Sequence, residues 1–156
     1  MVPLSDDVRA LFEGPNYAHL ATILPSGAPH SVPVWAGVEG ERVLFFTQPQ
    51  SRKARNVAGD ARVAFSITDH EHPYRMAQVR GRVVETIEGE AALEVIDRLA
   101  VKYTGQPFPM RSGVVFMIEP ERVQQMQLPF RHAPAAEPGS TDSRGVSPPR
   151  PFARAD

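Results

Sequence analysis

Two short runs rich in β-branched and aromatic residues, Arg42-Val43-Leu44-Phe45-Phe46-Thr47 and Arg62-Val63-Ala64-Phe65-Ser66-Ile67, flank the segment Gln50-Ser51-Arg52-Lys53-Ala54-Arg55-Asn56. The runs read as strands. The segment between them reads as the start of a short helix, Ser51–Ala58, because Ser51 is a good N-cap and the residues after it favour helix. The first turn then holds Arg52 and Lys53, with Arg55 close behind. Exposed backbone N–H groups and the macrodipole already make a helix N-terminus positive, so cations there are repelled. A local rule broken this openly points to a partner outside the chain. An anion fits best, above all a phosphate held by backbone N–H groups and basic side chains. Taken alone, such a run also reads as a solvated basic face.

Bulk charge favours the anion. With 17 Lys+Arg against 18 Asp+Glu the net charge is −1, so nothing global calls for nucleic acid or an anionic membrane. The basic cluster is local, which suits a small anionic ligand. The chain has no cysteine, which excludes disulfides, thiol nucleophiles, Cys-ligated zinc and iron–sulfur clusters. The run Val114–Ile118 is far too short to cross a bilayer. Met1–Asp7 lacks a basic n-region and an apolar h-region, so no signal peptide is expected and a soluble cytoplasmic protein is.

The 156 residues suffice for one domain with a real core. Composition changes near Leu128. Beyond it Pro129, Pro134, Pro138, Pro148, Pro149 and Pro151 interrupt a segment with little apolar periodicity. The expectation is a folded domain over 1–128 and a disordered tail over 129–156. Within the domain the pattern predicts a capped first helix to Glu13, a hairpin of Tyr17–Ile23 with His30–Ala36, and a third strand at 42–47. After the Ser51–Ala58 helix come Arg62–Thr68 and a long strand Tyr74–Ile87 with a bulge near Gly81. A helix over Gly89–Tyr103 follows, then Ser112–Ile118, with Val123–Leu128 as a candidate seventh strand. Pro33 cannot donate to a ladder and belongs at an edge or bulge. Hairpin spacing with a few crossing helices predicts a mostly β, six- to seven-stranded antiparallel barrel rather than a doubly wound sheet.

The basic helix start, flanked by Phe46 and Thr47 and followed one turn on by Asn56, is the strongest candidate site. Strand two is the second element: Ser31, Val32, Pro33 and Val34 offer backbone groups at an edge that can hydrogen-bond a flat heteroaromatic ring, although an ordinary edge strand reads the same way. His70 and His72 flank Glu71 in a loop with no third histidine nearby, so no metal site is expected. Gly-x-Gly-x-x-Gly, Walker A, His-Glu-x-x-His and Gly-x-Ser-x-Gly patterns do not occur. Trp35 and Tyr74 fit a ring-stacking role and a core role equally.

Four stretches together carry a family likeness: Leu20-Ala21-Thr22…Gly27…Pro29-His30…Pro33-Val34-Trp35; Phe45-Phe46-Thr47…Ser51-Arg52-Lys53-Ala54-Arg55-Asn56; Asp60-Ala61-Arg62-Val63; and His72-Pro73-Tyr74-Arg75…Val79-Arg80-Gly81. They resemble the flavin-binding split β-barrel superfamily that includes pyridoxamine 5′-phosphate oxidase, and most closely its branch that uses the deazaflavin coenzyme F420. The resemblance covers about residues 5–125. It implies a homodimer with a cofactor site in each groove between subunits. The phosphate would be held at Lys53, with Ser51, Arg52 and Asn56 around it. The ring would lie along Ser31–Val34 near Phe46 and Thr47. Gln78 and Arg80 match positions that reach the cofactor across the dimer.

The implied activity is hydride transfer between F420 and an electron-poor small molecule. Orientation, shielding and charge are then the protein's part, and no side chain is assigned as a proton donor. F420 carries a lactyl-phosphate and a glutamate tail, for which Arg52, Lys53 and Arg55 supply charge. FMN ends at its phosphate and is the alternative cofactor, for an oxidase or reductase on the same fold. A cofactor-binding protein without turnover is a further alternative. The C-terminal Arg-Leu-His-Asp-type segment of true pyridoxamine 5′-phosphate oxidases has no counterpart here, and no added domain speaks for haem, so neither activity is expected.

Overall fold

The computed structural model describes residues 1–134. The elements are α1 (Asp6–Glu13), β1 (Tyr17–Ile23), β2 (Pro29–Glu39), β3 (Arg42–Thr47), α2 (Arg52–Gly59), β4 (Arg62–Thr68), β5 (Arg75–Ile87), α3 (Gly89–Thr104) and β6 (Val114–Gln127). The strands close a mostly β, antiparallel six-stranded barrel in the order β1-β2-β3-β6-β5-β4, as the hairpin spacing predicted.

Alternation decides which side chains fill the barrel. Ala18, Leu20 and Thr22 of β1, Val63, Phe65 and Ile67 of β4, and Ala77 and Val79 of β5 point inward and are buried. Phe45 meets Phe65 and Phe116 at 6.1 and 5.2 Å between ring centroids. α1 adds Val8, Leu11 and Phe12 to this cluster, and α2 adds Ala54 and Val57. A second apolar cluster lies outside the barrel, where Ala92, Val95, Ile96 and Leu99 of α3 cover Leu44, Val115 and Met117. α3 stops at Gly105, which takes the left-handed conformation (φ 78°) that favours glycine.

The two apolar runs at 112–118 and 123–128 are one strand, β6, rather than two. Pro120 does not end it because the β5–β6 register slips there: Arg80 faces Arg122 while Gly81 faces Pro120, leaving Glu121 as the extra residue of a bulge. The irregularity expected at Gly81 is thus present, with the added residue on the neighbouring strand. A Cβ on Gly81 would collide with the Glu119 carbonyl oxygen, which explains the glycine. Most of the tail expected to be disordered, 135–156, lies outside the described residues. Residues 129–134 form no helix or strand, and Phe130 packs on Tyr74 with centroids 5.3 Å apart.

The end of α3 ties α1, β1 and β2 together. Lys102 Nζ donates to the carbonyls of Phe12 (2.8 Å) and Ala36 (2.6 Å). The Tyr103 hydroxyl accepts from Ala36 N–H (3.2 Å) and donates to the Asn16 carbonyl (2.6 Å), extending the β1–β2 pairing past Tyr17, the first residue of β1. Burial pulls the Lys102 ammonium down to about 8 from 10.5, with Glu13 opposing, and pushes the Tyr103 phenol up.

Gly81→Ala should cost about 2 kcal/mol or more in chemical denaturation, because the β6 backbone must move to admit the methyl. Lys102 binds fewer protons in the fold than in the unfolded chain between pH 8 and 10.5, so stability rises through that window. Because the side chain is only partly buried, the gain from pH 8 to about 9.5, measured against Lys102→Met, should be on the order of 1 kcal/mol. Tyr103, shifted upward, opposes this only around pH 10 and above.

Candidate functional site

β2 changes partners midway. Pro29–Trp35 pair with β1, and only Ala36–Glu39 pair with β3. Among the described residues, the β3-facing edge of Pro29–Trp35 therefore has no strand against it. Ala36 aims its N–H at Tyr103 on the β1 side. Since alternate residues of a strand point their amides the same way, Ser31, Pro33 and Trp35 face the open edge. Pro33 sits where a missing donor costs the ladder nothing, as the sequence required.

Beside this edge lies a cleft of about 290 Å³. Val34 and Trp35 of β2, Phe46 and Thr47 of β3, and Lys53 of α2 line it. Gln48, Phe108 and Met110 complete the wall. Among the residues expected at the site, the fold thus brings Val34, Phe46, Thr47 and Lys53 directly together.

Ser51 is the α2 cap: its Oγ accepts from Ala54 N–H (3.2 Å) and from the Thr47 hydroxyl (2.9 Å). Both interactions use its lone pairs, which leaves its own proton to donate. The first intrahelical bond runs from Arg55 N–H to Ser51 O, so the amides of Arg52 and Lys53 have no helical partner. α2 has no acid in its first turn, and among the described residues Arg52, Lys53 and Arg55 form no ion pair. By contrast α1, also serine-capped, carries Asp6 and Asp7 in its first turn. A free hydroxyl proton, two free amides and three unbalanced cations make a donor set suited to a phosphate.

Asn56 is not in the cleft. It is 2% exposed and donates from Nδ2 to Thr22 Oγ1 (2.9 Å), which anchors α2 to the barrel wall. Its Oδ1 and the Nδ1 of His30, whose Cα pairs with Thr22, are buried without partners. Gln78 and Arg80 also lie away from the cleft. They belong to an outward row system that crosses the sheet: Pro33–His19–Ser66–Gln78–Gln124, and beside it Ser31–Ala21–Ala64–Arg80–Arg122. Gln78 and Arg80 thus share a face with Ser31 and Pro33 but stand three strands away, about 14 Å at ordinary strand spacing.

The sequence left Trp35 undecided and did not reach Phe108 or Met110. Trp35 is a cleft wall. Tyr103 stacks on it (5.1 Å, 5° between planes), and Phe46 and Phe108 meet it edge-on at 6.0 and 6.3 Å. Phe108 and Met110 stand in the Pro-rich connection after α3, and apolar side chains in such a connection are themselves a sign of a binding surface. Lys53 is the one charged side chain among the lining residues, so the cleft offers an anion grip and aromatic walls but no acid–base or nucleophile pair. His70 hydrogen-bonds Asn16, and no group of three or more His, Cys, Asp or Glu able to hold a metal occurs among the described residues. No described helix is long and apolar enough to cross a membrane.

No curated protein sequence matches the chain significantly. Solved structures do. A protein titled F420 reductase is 29% identical, with 79% of this chain and 98% of that one covered and a TM-score of 0.68. A conserved hypothetical protein of Mycobacterium tuberculosis is 24% identical over 91% of this chain and 96% of its own, with a TM-score of 0.69. A putative pyridoxamine 5′-phosphate oxidase of Listeria innocua is 20% identical over 70% and 86%, with a TM-score of 0.56. These neighbours share the split-barrel fold of FMN- and F420-binding proteins. The family model described as pyridoxamine 5′-phosphate oxidase matches residues 4–127, all six strands included, and the chain belongs to that family.

Proposed function

We propose that the protein is an F420-dependent oxidoreductase that transfers a hydride between the deazaflavin and an electron-poor small molecule. The observation that carries this reading is the unbalanced basic start of α2, with Lys53 opening onto a cleft beside an unpaired strand edge. The likeness to an F420 reductase over nearly all of that protein's length supports it. Bound F420 would supply the hydride chemistry.

The chain's own residues bind and orient. Lys53, the Ser51 hydroxyl and the Arg52 and Lys53 amides hold the phosphate. Arg52 and Arg55, exposed and without an ion pair among the described residues, face the charge beyond it. The open edge at Ser31–Val34 offers backbone groups to a planar ring, while Phe46 and Trp35 exclude water from that side. Three unpaired cations suit a ligand carrying more negative charge than one phosphate. FMN in the same cleft is the second reading, favoured by the family match.

The site also belongs to a homodimer in this reading. The outward rows place small residues, Ala21, Ala64 and Ser66, in the middle of an exposed sheet face rimmed by Tyr17 (58% exposed) and Met126 (53%). A second copy packing there would bury that apolar rim and bring Gln78 and Arg80 towards its partner's cleft, which supports a two-fold arrangement.

Lys53→Ala should weaken F420 binding at least tenfold, about 1.4 kcal/mol, with thermal unfolding unchanged, as read by fluorescence titration. Affinity equal to wild type would overturn the site assignment. Analytical ultracentrifugation should give twice the chain mass, and Ala64→Arg on the same face should yield monomer.

A further inference from the structure

The connection between α3 and β6, residues 105–113, is fastened at both ends. At one end Asp97 of α3 accepts from Phe108 N–H (3.1 Å) and from Arg111 Nη1 and Nη2 (2.8 and 3.1 Å), and Arg111 Nη1 also donates to the Phe108 carbonyl (2.9 Å). Arg111 holds the Asp97 carboxyl below its usual range, so the pair is ionised across the neutral range. At the other end Gln48 Nε2 donates to the Ser112 carbonyl (2.9 Å) and the Ser112 hydroxyl donates to Gln48 Oε1 (2.8 Å). Between these fastenings the chain turns Phe108 inward against Phe46 (5.2 Å, 75°) and Trp35, and places Met110 on the cleft wall.

Phe108 is half-buried against the α3 cluster while its ring borders the cleft, and Met110, 53% exposed, has no core partner and lies on the cleft wall. Both side chains line the cleft that Lys53 also borders. We infer that this fastened connection is the substrate wall: Phe108 and Met110 select a flat, uncharged, conjugated molecule, and Asp97 and Arg111 are positioning residues that hold them. The chemistry follows from the lining. Three near-perpendicular rings and a thioether recognise a π-face and adapt to its outline. Apart from Lys53, assigned to the cofactor, nothing there can neutralise a charged substrate. The inference deepens the proposed function and rests on it only for the word substrate.

The test uses the apoprotein and Trp35, the single tryptophan, as reporter. The probe is 2-methyl-1,4-naphthoquinone, uncharged and planar. It should quench Trp35 saturably in wild type and in Lys53→Ala. Phe108→Ala with Met110→Ala should weaken it at least tenfold. Asp97→Ala should do the same and red-shift Trp35 emission, because Phe108 leaves the indole edge. Asp97→Asn, which keeps an acceptor for Phe108 N–H, should recover part of the affinity. Equal quinone affinity in wild type and the Phe108/Met110 double variant would overturn the inference, as would an unchanged Trp35 spectrum in Asp97→Ala. Failure of F420 to bind wild type would overturn the cofactor reading instead, leaving the quinone result to be judged separately.

Discussion

The site depends on where β2 exchanges one neighbour for another. Up to Trp35 the strand pairs with β1; from Ala36 it pairs with β3. A barrel of six strands cannot leave this junction unsatisfied, because the Ala36 amide and carbonyl face a position that β1 no longer fills. The end of α3 fills it. Tyr103 bridges Ala36 and Asn16, and Lys102 binds the Ala36 and Phe12 carbonyls. The same tyrosine stacks on Trp35, so the device that completes the barrel also sets a wall of the cleft. Before the junction the β3-facing edge of β2 stays open, and Pro33 is compatible with it.

Electrostatics then distinguishes this opening from an ordinary groove. Six arginines of the described chain, among them Arg9, Arg42 and Arg111, sit within ion-pair distance of a carboxylate. The cations at the start of α2 do not, although the helix is capped as carefully as α1. An exposed ion pair contributes little, so its absence costs the fold little. Unpaired charge at a helix N-terminus is therefore cheap to keep and available to a ligand. Asn56 secures the helix from below through Thr22, acting on the cleft through the position of α2 rather than by contact.

Much of the architecture was legible because period-2 and period-3.6 patterns are local. The hairpins, the three helices and the Ser51 cap follow from neighbours within a few residues. The continuity of β6 was not legible: Pro120 reads as a breaker, and only the bulge opposite Gly81, set by pairing with a distant strand, carries the chain past it. At the site, Lys53, Thr47 and Phe46 were found because charge and a strand end mark them, and Val34 because it stands beside Pro33 on a strand edge. Asn56 was placed at the ligand from its spacing of one helical turn, whereas the helix face it occupies is decided by Thr22, far away in sequence. Phe108 and Met110 escaped because a Pro-rich connection has no period to read, and its course is fixed by Asp97 and Gln48.

The most direct test of the central claim is an equilibrium titration of the wild-type protein with F420 and, in parallel, FMN, repeated at low and high salt. The account predicts tighter binding of F420, with an affinity that falls more steeply with salt than that of FMN, because Arg52, Lys53 and Arg55 meet charge beyond a single phosphate. Tighter binding of FMN, or an F420 affinity indifferent to salt, would contradict it.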